Sequence, residues 1–305
     1  MNLKSLKRIA LASLLPLAAA GFAQEITVTH AQGETVLPVN PEVVFSYDFA
    51  AIDTLTTLGV EVDGAPTLNG TAPDWLPEGL LNIGSLFEPD YEEVNASQPD
   101  LIIIAGRSSA AYPELANMAP TIDVTFGDSF YDSLVSNTET LASIFGKEAE
   151  AEQALADLQA KVDVLSEQVA EGGNGLIVMV SGGSISVLAP NIERAGRGSL
   201  LYQTLGLVPT IEDVEEASHG EPISFEFLLE YDPEWLFVID RDAAIGTEDA
   251  QPAAAVLDNE LMEQTSAFQN DQIVYLDPFN WYIVTGAGLT SAGEMLDEIS
   301  AAYNR

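Results

Sequence analysis

The tightest constraint in this sequence is a short plan written twice. QPDLIIIAGR sets a turn-forming Pro-Asp before a β-branched run that stops at Arg107, and DPEWLFVIDR is likewise a Pro-led strand that stops at Arg241. Eight residues separate Pro99 from Arg107, and eight separate Pro233 from Arg241. Each of these strands belongs to a longer series of similar order. In the first half VVFSYDFAAIDTLTTLGV reads as a buried strand and a helix ended by Gly59, and PTIDVTF adds a strand after Arg107. In the second half GLIVMVSGGSISVL supplies strands, GSLLYQTLGLV a helix ended by Gly206, and DQIVYLDP the strand after Arg241. The simplest account is an α/β protein of two Rossmann-like lobes, each built on a central, mainly parallel sheet.

Between the repeats lies KEAEAEQALADLQAKVDVLSEQVAEGG. Leu155, Leu158, Val162, Leu165 and Val169 recur there at three- and four-residue steps, and neither Gly nor Pro interrupts from Lys147 to Glu171. At 1.5 Å per residue this is one helix of roughly 35–40 Å, long enough to run along two lobes. A coiled coil is the other reading, but only about two heptads are present and such a coil needs more. The expected organisation is a first lobe over residues 24–143, a linking helix over 144–172, a second lobe over 173–305, and a cleft between the lobes. Ligands of open parallel sheets sit beyond the carboxyl ends of the strands, so Arg107 and Arg241 are expected to face that cleft.

The first 23 residues, MNLKSLKRIALASLLPLAAAGFA, place Lys4, Lys7 and Arg8 ahead of a short apolar run closing in small residues, which reads as a secretory signal peptide. No later run approaches the ~20 consecutive apolar residues of a transmembrane helix. With no cysteine the chain has neither a disulfide framework nor a lipid-bearing N-terminal cysteine. A soluble periplasmic protein without a lipid anchor is expected. Forty-eight acidic residues against ten basic ones give a net charge of -38, which repels nucleic acid and anionic membranes. Three of the ten cations leave with the signal peptide, so the position of each remaining one carries information.

Arg107 and Arg241 hold equivalent places in the two halves, and Arg197 lies at a loop-to-helix junction in ERAGRGSLLYQTLG. A planar guanidinium of fixed charge suits anionic oxygens, although a surface carboxylate would serve as its partner equally well. His219 follows the acidic loop IEDVEEAS; it reads either as a metal ligand through one neutral nitrogen or as a solvated loop residue. His30, in the N-terminal hairpin, reads as surface decoration. In LDPFNWYIVTGAGLTS an aromatic-rich loop leads into a closing helix; Trp281 and Tyr282 read either as core or, for the phenol, as a hard oxygen donor to Fe(III). Enzyme signatures are mostly absent: no G-x-S-x-G elbow, no H-E-x-x-H, no phosphate-binding loop and no cysteine nucleophile. A cleft hydrolase or lyase using His219 as base beside Glu221 is the remaining catalytic reading.

The order of these motifs resembles the periplasmic siderophore-binding proteins of ABC importers, in the branch that takes catecholate ligands of the petrobactin and enterobactin type. ASHGEPISFEFLLEYDPEWLFVIDR and VYLDPFNWYIVTGAG carry the resemblance most sharply, with GKEAEAEQALADL marking the helix region. It implies two lobes held by one long helix, a shallow cleft and little closure on binding. It also implies an arginine triad on Arg107, Arg197 and Arg241, with Arg194 the neighbouring alternative to Arg197. An iron-contacting His219 and Tyr282 follow from it too, as direct Fe(III) ligands where the siderophore leaves coordination positions open. The function implied is capture of a ferric siderophore by a monomeric, non-enzymatic binding protein, with the Fe(III)-siderophore as cargo, no permanent cofactor, and delivery to an inner-membrane ABC permease. Haem, cobalamin, a hydroxamate siderophore or a bare metal ion are the other ligands such a binding protein would take.

Overall fold

The structure is a computed structural model that describes residues 24–190, 196–214, 217, 219–285 and 288–305. The expected signal peptide and Arg194 lie outside the described residues. Two sheets organise the molecule. In the first half five parallel strands run in the order Leu81–Asn82, Gly64–Ala65, Val44–Ser46, Leu101–Ile104 and Thr121–Asp123. In the second, the order is Glu221–Ile223, Ser184–Val187, Asn174–Ser181, Trp235–Asp240 and Ile273–Leu276, with Val208–Pro209 paired to the start of Asn174–Ser181. Ser184–Val187 returns as a hairpin and is antiparallel to both neighbours, so this sheet is mixed, with a parallel centre.

The written repeat is a structural one. Helices Tyr91–Ser97 and Phe225–Tyr231 each have seven residues, and the side chains of Asp90 and Ser224 cap them by accepting the N–H of Glu93 and Phe227. Each ends on a left-handed residue, Gln98 at φ 48° and Asp232 at φ 43°, directly before the proline that starts the next strand. GSLLYQTLG departs from the expected α-helix: Leu200–Thr204 is a single π-helical turn.

The linking helix, Glu148–Glu171, has 24 residues and spans about 36 Å at 1.5 Å per residue. Leu158, Val162, Leu165 and Val169 face inward, whereas Leu155 is only partly buried. The terminal helix, Leu289–Tyr303, packs on both the linking helix and the first helix, Phe49–Thr57. Consequently one continuous apolar core holds Leu55, Ile103, Leu158, Ile177, Phe237 and Leu296, residues of both halves. Smaller clusters cover each sheet on its other face.

The N-terminal hairpin, Glu25–His30 with Gly33–Pro38, seals the edge of the first sheet. Thr35 Oγ1 donates to the Thr121 carbonyl at 2.9 Å, and Gln32 Nε2 donates to Asp123 Oδ2 at 2.8 Å. His30 is not the surface decoration expected of it. It is half-buried, 2.8 Å from Thr35 Oγ1 and tilted against Tyr112, and burial pushes its imidazole pKa down. Among the described residues no helix is long and apolar enough to cross a membrane.

Candidate ligand-binding site

The segment expected as an aromatic loop is instead a π-helical turn, Phe279–Val284, closed by Thr285 at φ 58° whose N–H reaches back to the Asn280 carbonyl. Such i→i+5 turns are rare and are frequent at functional sites. Trp281 is fully buried and Tyr282 is 6% exposed, so the first reading of both as core is right by burial. The phenol end of Tyr282 nevertheless reaches the boundary between the halves, where its ring is approached by three guanidinium carbons. Arg197 lies 4.5 Å from the ring centroid, Arg241 5.7 Å and Arg107 5.9 Å. All three are within the range at which a cation is drawn to an aromatic ring.

Each arginine arrives from a different element. Arg107 stands in the turn after strand Leu101–Ile104, and Arg241 opens the short helix Arg241–Ala244 that follows strand Trp235–Asp240. Arg197 stands in the turn before the π-helical residues Leu200–Thr204. Arg241 donates from Nε to the Tyr282 hydroxyl oxygen at 2.9 Å and from Nη1 to Ser181 Oγ at 3.2 Å, with the Asp242 carboxylate 3.9 Å away. Arg107 behaves differently. Its two terminal nitrogens donate across the molecule to backbone carbonyls of the tyrosine turn, Ile283 at 2.8 Å and Tyr282 at 2.7 Å. It therefore ties the first half to the second as well as flanking the ring.

His219 is exposed at the mouth of the site, its Nε2 3.3 Å from the Tyr282 hydroxyl. With Arg241 donating to the phenol oxygen, the phenol proton is free to point at His219, which must then be the Nδ1–H tautomer. Desolvation, helped by Arg241 and Arg197, lowers the His219 pKa and favours that neutral form. Burial also lowers the pKa of Arg107 and Arg197, the latter further through the two neighbouring guanidiniums. Both stay charged, because a guanidinium starts far above neutrality.

The structure thus brings Arg107, Arg197, Arg241, His219 and Tyr282 together. It adds Asp48, Asp242 and Ser181, which sequence reasoning passed over. Asp48 caps the first helix by accepting the Ala51 N–H at 3.0 Å and faces Arg107; burial raises its carboxyl pKa, and those two contacts oppose the rise. Asp242 accepts from the Gly182 N–H at 2.6 Å and from Ser181 Oγ at 3.2 Å, which orients the serine that Arg241 touches. Both aspartates follow the carboxyl end of a strand, the same rule that singled out the arginines. A cavity of about 350 Å³ adjoins the cluster, lined by Asp48, Thr54, Leu86, Arg107, Arg197 and Val284 among others. Among the described residues no group of three or more His, Cys, Asp or Glu side chains is arranged to hold a metal ion by itself.

Two α/β halves fused along a long helix, with a cationic site between them, define the architecture of a solute-binding protein. The family model described as periplasmic binding protein matches residues 31–279, and the chain belongs to that family. It is 33% identical over 284 residues to the petrobactin-binding protein YclQ of Bacillus subtilis, covering 90% of this chain and 87% of that protein. Among solved structures, a TroA-like periplasmic binding protein from Xylanimonas cellulosilytica superposes with a TM-score of 0.83 at 45% identity, covering 89% of this chain and 92% of that one. The periplasmic catecholate-siderophore binding protein VctP from Vibrio cholerae gives a TM-score of 0.83 at 30% identity, over 91% of this chain and 100% of its own.

Proposed function

We propose that this protein captures a ferric catecholate-type siderophore outside the inner membrane and delivers it to an ABC permease for iron uptake. It acts as a monomeric binding protein, not as an enzyme. The observation that carries the reading is the convergence of Arg107, Arg197 and Arg241 on one tyrosine between the two halves, with His219 beside it. Deprotonated catechols around Fe(III) leave a complex of charge near roughly -3, for which three guanidiniums are the complement, and charge-assisted contacts of this kind are the strong ones. YclQ and VctP, named for petrobactin and for catecholate siderophores, support the same ligand class. Where the siderophore leaves iron positions open, Tyr282 and His219 fill them, a phenolate oxygen and a neutral imidazole nitrogen. Where it fills them all, the arginines alone decide binding. The leader-like N-terminus supports export.

Fluorescence tests this directly, because Trp281 is the immediate neighbour of Tyr282. Titration with ferric catecholates should quench with Kd below about 1 μM, whereas the iron-free catecholates, haem, cobalamin and ferric hydroxamates should not. Equal response to all of them would sink the ligand class. For a ligand that leaves positions open, a phenolate-to-iron charge-transfer band should appear and be lost in Tyr282→Phe; a band indifferent to both Tyr282→Phe and His219→Ala removes direct ligation.

A further inference from the structure

The tyrosine turn has to be held in place by something, and the grip comes from a carboxylate that does not reach the arginines. Glu298, on the terminal helix, accepts the indole N–H of Trp281 on Oε2 at 2.7 Å and the backbone N–H of Asp277 on Oε1 at 2.9 Å. One helical turn earlier on the same face, Glu294 Oε2 accepts from Asn280 Nδ2 at 2.8 Å. These contacts hold Asp277, Asn280 and Trp281, the residues leading directly into Tyr282. Trp281 is 0% exposed, so water cannot replace the acceptor of its N–H. On the far side of Tyr282 the grip is Arg107, through the Tyr282 and Ile283 carbonyls.

We propose that Glu298 is a positioning residue for ligand capture: by holding Trp281 and Asp277 together it sets where the Tyr282 phenol stands among the three arginines and His219. The proposal rests on the reading of that cluster as the ligand site. Charge supports it independently. Burial, with Asp277 adding to it, pushes the Glu298 carboxyl up to about 7 against the opposing pull of its two hydrogen bonds. On its own helix Glu294 lies one turn earlier and Asp297 is the adjoining residue, and Asp297 engages Lys161 of the linking helix at 2.7 Å. A folded-state pKa raised above the unfolded one means that the ionised side chain costs stability, progressively as pH rises through the interval up to about 7. Gln would fill the same space without that cost, but would present one acceptor where two are used. The carboxylate therefore serves geometry at the expense of stability.

The test compares wild type with Glu298→Gln and Glu298→Ala at pH 8 and pH 5.5, with the ferric 2,3-dihydroxybenzoate complex as probe. At pH 8, Glu298→Gln should melt higher than wild type yet bind the probe about tenfold more weakly. At pH 5.5, where wild-type Glu298 is itself protonated, both differences should shrink. A ligand-free arm uses the His219 imidazole NMR resonances, which report the phenol 3.3 Å away; they should shift in both variants. Unchanged His219 resonances, wild-type affinity of Glu298→Gln at pH 8, or a parallel fall of melting temperature and affinity in that variant would each overturn the proposal. If wild type ignores the ferric probe, the ligand reading fails, and the imidazole arm still decides whether Glu298 positions the tyrosine.

Discussion

Asp53 offers the sharpest test of how the two halves are joined. It lies on the first helix with 0% exposure, and its carboxylate receives the Thr290 N–H at 3.0 Å, the Ser291 N–H at 2.8 Å and the Ser291 hydroxyl at 2.6 Å. These are first-turn donors of the terminal helix, so a residue of the first half caps a helix of the second. Asp53→Ala leaves the Ser291 hydroxyl an alternative in the Gly288 carbonyl at 3.3 Å, but the two backbone N–H groups lose their acceptor. At ~1–3 kcal/mol for each orphaned donor, the loss is about 2–6 kcal/mol. For a chain of this size that lowers Tm by roughly 5–15 °C. Asp53→Asn should lie in between, since its amide keeps one acceptor oxygen. Urea unfolding followed by tryptophan emission and calorimetric melting measure the effect, and separation of one transition into two would show the halves uncoupling. A loss below about 1 kcal/mol with an unchanged denaturant slope would refute the reasoning, because it would mean the terminal helix does not need this cap.

Gly288→Ala should be destabilising on its own, since an added Cβ would overlap the Asp53 carboxylate; thermal melting is the check. Arg107→Lys keeps the charge but loses the fork across two carbonyls, so ferric-catecholate affinity should fall about tenfold, and an effect under twofold would make the fork dispensable. The His219 imidazole should titrate below its ordinary value of 6.5, and Arg241→Ala should move it back up; NMR titration reads both. Because its folded pKa is depressed, the neutral form that can ligate iron persists at neutral pH and is lost only as pH falls through that lowered value. Raising salt from about 10 to 150 mM should speed association, by screening a strongly acidic surface, and leave dissociation nearly constant, because contacts to half-buried guanidiniums are screened less; stopped-flow quenching separates the two rates.

Which parts of this were legible in the sequence follows from the range of the interactions. The repeat was legible because each unit is local: a proline-led turn, an apolar strand and a closing arginine are written within about ten residues in each half. The linking helix was legible for the same reason, through its uninterrupted three- and four-residue steps. Arg107 and Arg241 stood out by rarity and by their place after a strand. The π-helical form of Phe279–Val284 was not legible, because it depends on grips from Glu294 and Glu298 and from Arg107, the last of them more than a hundred residues away. Nor was the second role of Arg107 legible, since donation to backbone carbonyls leaves no side-chain signature in the partner segment. His30 was misjudged because the ring it packs against, Tyr112, is distant in sequence.

These long-range grips also bear on how the site works. Tyr282 is covalently part of the second half, yet the segment around it is held by the first: Arg107 bonds the carbonyls of the turn, and Asp53 bonds the helix that follows. A wide hinge motion between the halves would have to break these bonds and open the shared core around Leu55, Leu158 and Leu296. Desolvated hydrogen bonds to charged groups are costly to leave unmade, and there are several of them here. The arrangement accordingly favours a site formed before the ligand arrives, in which the guanidiniums are already gathered around the phenol and a small rearrangement suffices to seat the complex. Under the proposed function, affinity would come from preorganisation more than from closure, with the energy that gathers three like charges supplied when the chain folds instead of when the ligand binds.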